Sequence, residues 1–354
     1  MRARDASIDI VRGVAIILIV VGHVLRGLAN ASVFPSDAPL FLTADRGLYM
    51  VHLALFAFAA GLMVPGSLSS RTPGAYLRRR LVEFAWIYVL WSLIQGLMQY
   101  ALAGSVNTER SLASVFMLWK PANQMWFIPW IALMSVGAAL IQPWRTRGRT
   151  AATLVAAIAV SLAMWGVFGP FIFAQGLGLT IFYSVGACTG LAGYAKARRR
   201  IGVVGMLVLS AIALTAYIAI IVVTVPSAPT TSHIDRTPQS VILGFVAAWL
   251  AVIGIVAASI LIEPFVPLAR PLAYCGRQSM VIFLAHTMTL AATRIVLLRL
   301  HIDSAAAHIV LGIAGGVIGA VVLHWATRRW LPWLWAAPRA LHRTLDRSTR
   351  SQSR

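Results

Sequence analysis

The chain is 354 residues long, 59% hydrophobic and only 11% charged, with a formal net charge of +20. So little charge cannot cover a water-soluble fold of this size, which excludes an ordinary soluble enzyme or binding domain. The positive excess suggests nucleic acid only until the positions of the arginines are examined.

Apolar windows of spanning length recur from end to end. In chain order they are about 8–27, 46–64, 81–103, 124–142, 151–168, 172–194, 203–225, 240–262, 278–298 and 306–326. The expected fold is therefore an all-α integral membrane bundle of about ten helices. Of the 30 Lys and Arg residues, 22 fall in alternate loops and the termini: "MRAR", "SSRTPGAYLRRR", "RTRGR", "KARRR", the 263–277 segment and the tail from Arg328. Seven lie in the other set of loops and helix ends, and Arg12 completes the count. Cytoplasmic loops retain positive charge, so both termini are predicted inside. Topology accounts for the charge, with affinity for anionic lipid as a consequence and no nucleic-acid partner. The chain divides into a transmembrane domain, 1–327, and a basic cytoplasmic tail, 328–354. "ANAS" at 29–32 has the look of a signal cleavage site, but the apolar run before it carries Asp9 and Arg12, so the first span is read as retained. Two lysines against 28 arginines, with abundant alanine, suggest a GC-rich bacterial genome and hence a bacterial inner membrane.

The first span, "SIDIVRGVAIILIVVGHVLRG" (7–27), contains Asp9, Arg12 and His23, all costly in hydrocarbon. At about 100° per residue, Arg12 and His23 fall within roughly 20° of one another, and Asp9 lies about 40° from His23. Asp9 precedes Arg12 by three, a spacing that permits an ion pair. Arg12 is placed near the cytoplasmic end, with His23 about 16 Å further along the axis. Such a stripe suits a passage in which arginine binds a phosphate and histidine takes a proton from a hydroxyl. It equally suits a snorkelling arginine and a histidine hydrogen-bonded inside the bundle. Geometry alone leaves these two readings level.

Other segments shift that balance. "DIVRGVAIILIVVGH", with His eleven positions after Arg, resembles the first-helix signature of the acyltransferase-3 family of membrane O-acyltransferases. "MVHLALFAFAAGLM" (50–63), "AYLRRRLVEF" (75–84), "QMWFIPW" (124–130) and "YCGRQSMVIFLAH" (274–286) are similar to later motifs of that family, in order and at suitable spacing. Ala60 stands where a serine is usual. Glu83 replaces a repeated arginine, and Ile282-Phe283 replaces Ile-Tyr.

The resemblance implies acyl transfer from cytosolic acyl-CoA, with acetyl-CoA the expected co-substrate, to a hydroxyl on an envelope glycan or glycolipid. No metal is expected. Arg12, with Arg79 and Arg80, would hold CoA phosphates, and His23 would be the base. Asp9 and His52 complete the expected catalytic set, Asp9 by orienting Arg12. His52, at a depth like that of His23, would polarise the thioester or position the acceptor; a hydrogen bond across helices explains it equally. His286 is expected to line the passage and Ser279 to cap its helix. Glu83 is spaced to pair with Arg80. Trp126 and Phe127 would stack on a sugar, although an interfacial aromatic belt, with Trp130, accounts for them as well. A multi-pass transporter or flippase for an envelope precursor is the competing reading, against which stands the lack of a visible internal repeat.

Overall fold

The computed structural model describes residues 5–70, 72–102, 111–167, 172–231 and 236–342. Every regular element among them is helical. The first three helices are α1 (Ala6–Asn30), α2 (Pro39–Ser69) and α3 (Pro73–Ala101). They run past their apolar windows; side-chain caps hold the starts of α1 and α3, while α2 starts at Pro39 without one. Asp5 accepts the Ser7 N–H at the start of α1, and Thr72 accepts the Ala75 N–H before Pro73 of α3.

The short α4 (Leu112–Val115) precedes α5 (Phe127–Ile141) and α6 (Arg147–Ala163). Next comes α7 (Thr180–Val223), whose 44 residues would reach about 66 Å if straight, twice the roughly 30 Å of a bilayer's hydrocarbon core. It is not straight. Gly190 (φ +58°) and Gly202 (φ +70°) break it, and a basic piece, 191–201, lies between the breaks. Arg198 of this piece pairs with Glu263 at 2.5 Å and Asp5 at 3.3 Å, while Tyr194 and Ser7 share a hydrogen bond of 2.8 Å. The basic loop is thereby fastened to the start of α1.

The remaining helices are α8 (Pro238–Ile262), α9 (Val266–Arg277), α10 (Ser279–Arg299), α11 (Ala305–Ala314) and α12 (Ala320–Thr327). A π-helical turn, Gly315–Gly319, makes α11 and α12 one continuous run. Among the described residues, eight helical stretches are long and apolar enough to cross a membrane. Two of the ten expected windows are not separate members of that set. Ala174–Val223 counts once despite its breaks, and α6, at 17 residues, is short.

The 263–277 segment, expected to be a loop, is largely the amphipathic helix α9. Ala269, Ala273 and Gly276 are buried on one face, while Arg270 and Arg277 are exposed. Ala269, Leu272, Ala273 and Gly276 recur at helical spacing along that face, while the exposed Pro271 and the two arginines give the segment the look of a loop. The small residues among them allow α9 to lie on α1 backbone to backbone. A Cβ on Gly13 would fall 1.9 Å from the Leu272 carbonyl oxygen, and one on Gly276 1.8 Å from that of Asp9. Gly61 and Gly186 bring α2 and α7 together similarly.

The described part of the tail does not stand apart from the bundle. The indole N–H groups of Trp86 and Trp91 donate to the carbonyls of Trp333 (2.8 Å) and Leu334 (2.6 Å). Trp335 packs on Trp91 and His324. Residues beyond 342, "MRAR" at 1–4, Arg110 and the loop His233 lie outside the described residues.

Candidate functional site

Three helices supply polar side chains at helical spacing to one cavity of about 620 Å³. From α1 come Ile19, His23, Arg26 and Asn30, each three or four residues after the last and hence on one face. From α2 come Tyr49 and His52, and from α10 Phe283, Thr287 and Arg294. The His23 ring lies 5.0 Å from that of His286 and 6.5 Å from that of Tyr49, with the His52 ring 4.7 Å beyond Tyr49. His23 and His52 are thus linked through Tyr49 in the wall of one cavity.

The histidines differ in their hydrogen bonds. His52 Nδ1 donates to the Leu48 carbonyl. His286 Nδ1 faces the carbonyls of Ile282 and Phe283, each at 2.9 Å. A carbonyl can only accept, so Nδ1 carries the proton in both rings and Nε2 is left with its lone pair. His286 Nε2 is buried without a partner. His23, half-buried, makes ring contacts and no hydrogen bond to the described residues. An imidazole in a cavity wall with both nitrogens uncommitted is suited to taking a proton from something that enters.

Arg26 and Asp45 were not singled out in the sequence, yet they brace this wall. The Arg26 guanidinium lies 3.2 Å over the Tyr49 ring and grips the buried Asp45 carboxylate at 2.5 and 2.8 Å. An Asp within an apolar run, four and seven residues before Tyr49 and His52, was the available signal. The cavity also takes Gln95, Gln99 and Gln124, whose Nε2 or backbone anchoring leaves three buried amide oxygens without donors. Gln95 Nε2 donates to the Leu284 carbonyl, and Gln124 Nε2 to the Phe283 carbonyl and Thr287 Oγ1.

Trp126 and Phe127 belong to this cavity and are 8% and 7% exposed. They do not form the outward-facing belt that their position suggested, and Trp130 is wholly buried. The Phe127 ring packs 5.8 Å from that of Phe283, joining α5 to α10. Aromatic residues at an apparent helix end gave no sign of which way they would turn.

Arg12 sits at the other end of α1. Its Nη2 donates to Ser279 Oγ at 2.8 Å, and its Nη1 lies 3.9 Å from the Asp9 carboxylate. Ser279 is thus a buried partner of Arg12 and makes no side-chain cap for α10, which corrects the capping expectation. Asp9 remains with Arg12 and far from the histidines, about 21 Å from His23 by helical rise. Along the face joining Arg12 to His23, Ile16 is fully buried. The open passage expected along that face is closed there by packed side chains.

Arg79 and Arg80 line a second cavity, about 360 Å³, together with Tyr76, Glu83, Arg339 and His342. Arg12 is not among its lining residues. Glu83 does not pair with Arg80. Its carboxylate accepts the Ala337 N–H at 3.3 Å and faces His342 at 3.6 Å, because the returning tail covers it. Arg80 instead lies 4.9 Å from the Phe84 ring, with Nε buried and unpartnered.

Comparison with known proteins agrees with this architecture. The family model for the acyltransferase domain of the acyltransferase-3 family matches residues 5–325, so the chain belongs to that family. Nodulation protein NolL of Mesorhizobium japonicum (strain LMG 29417 / CECT 9101 / MAFF 303099) is 24% identical over 165 residues. That stretch is 45% of this chain and 41% of NolL, so the chain spans about two fifths of the curated relative it matches. No solved structure matches the chain.

Proposed function

We propose that this chain is a multi-pass inner-membrane O-acyltransferase of bacteria, with both termini cytoplasmic. It moves an acyl group, expected to be acetyl, from cytosolic acyl-CoA to a hydroxyl of an envelope glycan or glycolipid. It crosses the membrane ten times, α7 contributing two spans on either side of 191–201 and α6 one. The observation that carries the reading is the uncommitted His23 imidazole in the wall of a cavity rich in polar side chains.

In the reaction, His23 takes the proton of the acceptor hydroxyl as its oxygen attacks the thioester carbon. The carbon–sulfur bond breaks, and the imidazolium returns the proton to the departing thiolate. His286, its ring 5.0 Å from that of His23, and His52, beside Tyr49, position the base and the carbonyl. The donorless oxygens of Gln95, Gln99 and Gln124 match an acceptor dense in hydroxyl donors. Trp126 and Phe127 supply the apolar wall against which a sugar face packs.

Arg12, oriented by Asp9 and Ser279, holds the phosphate end of the donor, with Arg79 and Arg80 as further cations on the same side. The packed aliphatic side chains at Ile16 then have to part when the acyl arm reaches upward. The purified protein with labelled acetyl-CoA and an extract of envelope glycans tests the reading, through label transfer and thiol release. Transfer that depends on His23 supports it; undiminished transfer by His23→Ala removes the base and with it the mechanism.

A further inference from the structure

Seven Lys and Arg residues depart from the basic end of the chain, and the structure shows what occupies most of those it describes. Arg26 is held by Asp45. Arg46 donates to the carbonyls of Ile221 and Thr224, and Arg236 to those of Leu162, Ala163 and Trp165. Arg46 and Arg236 close helix ends, Arg26 is neutralised by a carboxylate, and each is accounted for by that role.

Arg294 also meets a helix-end carbonyl, but spends only one nitrogen there. It is 8% exposed, on α10, and a single Nη1 donates to the Gly27 carbonyl at 2.8 Å. A guanidinium has five N–H groups, so most of its donor capacity is unspent. Arg294 lines the histidine cavity, two turns along α10 from His286, and Arg299 lines the same cavity further out. Among the described residues, no carboxylate lines this cavity, and Asp45 is taken by Arg26. None of its nitrogens is among the buried unpartnered atoms, so the unspent N–H groups are open to the cavity it lines, where an anion can meet them.

We propose that the cavity selects an acceptor carrying an oxyanion, a carboxylate or phosphate ester, and that Arg294 reads it with Arg299 at the rim. This rests on the acyltransferase reading of the cavity and narrows its substrate class to acidic sugars or phosphorylated glycans. The anion docks on the fork of Arg294, and a hydroxyl of the same molecule is thereby presented to His23 in the wall of the same cavity.

The test uses the full chain in phosphatidylcholine nanodiscs and measures affinity for methyl β-D-glucuronide, glucose 6-phosphate and neutral methyl β-D-glucoside. At least one anionic sugar should bind about tenfold or more tightly than the neutral one, and the stronger of the two identifies carboxylate or phosphate. Arg294→Gln should bring the ratio close to one, and Arg294→Lys should keep part of it. Equal binding of all three sugars by the wild-type chain overturns the proposal, even if no variant folds. A preference that persists in Arg294→Gln also overturns it. Binding of phosphatidylglycerol that depends on Arg294, without any preference among the sugars, assigns the anion to the bilayer and likewise overturns it. Acid-sugar preference without transfer from acetyl-CoA would instead sink the acyltransferase reading and leave the anion site standing. Transfer without preference would do the reverse.

Discussion

The two ends of the α1 face handle buried polarity in opposite ways. At the basic end, polar groups are largely satisfied by one another: Arg12 by Ser279 and Asp9, Arg198 by Glu263 and Asp5, Tyr194 by Ser7. At the histidine end, buried polar atoms without partners recur: His286 Nε2 and the amide oxygens of Gln95, Gln99 and Gln124. Unsatisfied buried groups cost about 1–3 kcal/mol each, so several of them close together support the acceptor site proposed there. The paired end is a fixed mount, and the unpaired end is where chemistry can occur.

Four substitutions sharpen or break that contrast. The largest effect is expected from Gly13→Val, which drives side-chain atoms into the Leu272 carbonyl and forces α1 off α9. We expect loss of the folded protein, seen as aggregation on size-exclusion chromatography; a monodisperse, active variant would mean that the mount is dispensable. Next, His23→Ala should lower the turnover rate by roughly 100- to 10,000-fold, the usual range for a general base, while the melting temperature in detergent holds. Third, Arg12→Ala should raise the KM for acetyl-CoA by about tenfold or more, with a smaller change in kcat, as for one lost charge-assisted contact to phosphate. A selective loss of kcat would place Arg12 in the chemical step. The smallest effect belongs to Glu83→Gln, which loosens the half-exposed contact with Ala337 and His342 by less than about 1 kcal/mol. Limited proteolysis of the tail should detect it, and an unchanged cleavage rate would show that the tryptophans hold the strap alone.

Much of this was legible in the sequence. Hydropathy marked the all-helical membrane fold, with eight stretches of spanning length among the described residues, and the eleven-residue interval between Arg12 and His23 put both on one face. The eye for ionisable groups in apolar runs found His52 and His286. It passed over Asp45 and Arg294 because each sits near a helix end, where a charge ordinarily means water or headgroups. Only tertiary packing turned them inward. Ser279 looked like a helix cap because cap and partner are the same residue type in sequence; the Arg12 contact comes from a helix 267 positions away. The amphipathic α9 was passed over because its prolines and arginines read as a basic loop, although its apolar residues recur at helical spacing.

The tail's attachment to α3 sets its own rule for sequence drift. Trp86 and Trp91 hold residues 333 and 334 by main-chain oxygens, so that hold does not depend on which side chains occupy those two sites. What it does fix is the count of residues from the end of α12. One residue inserted or removed there would carry both carbonyls past their indoles and slide Glu83 off its partner. Length, more than identity, is the inherited quantity in this connection.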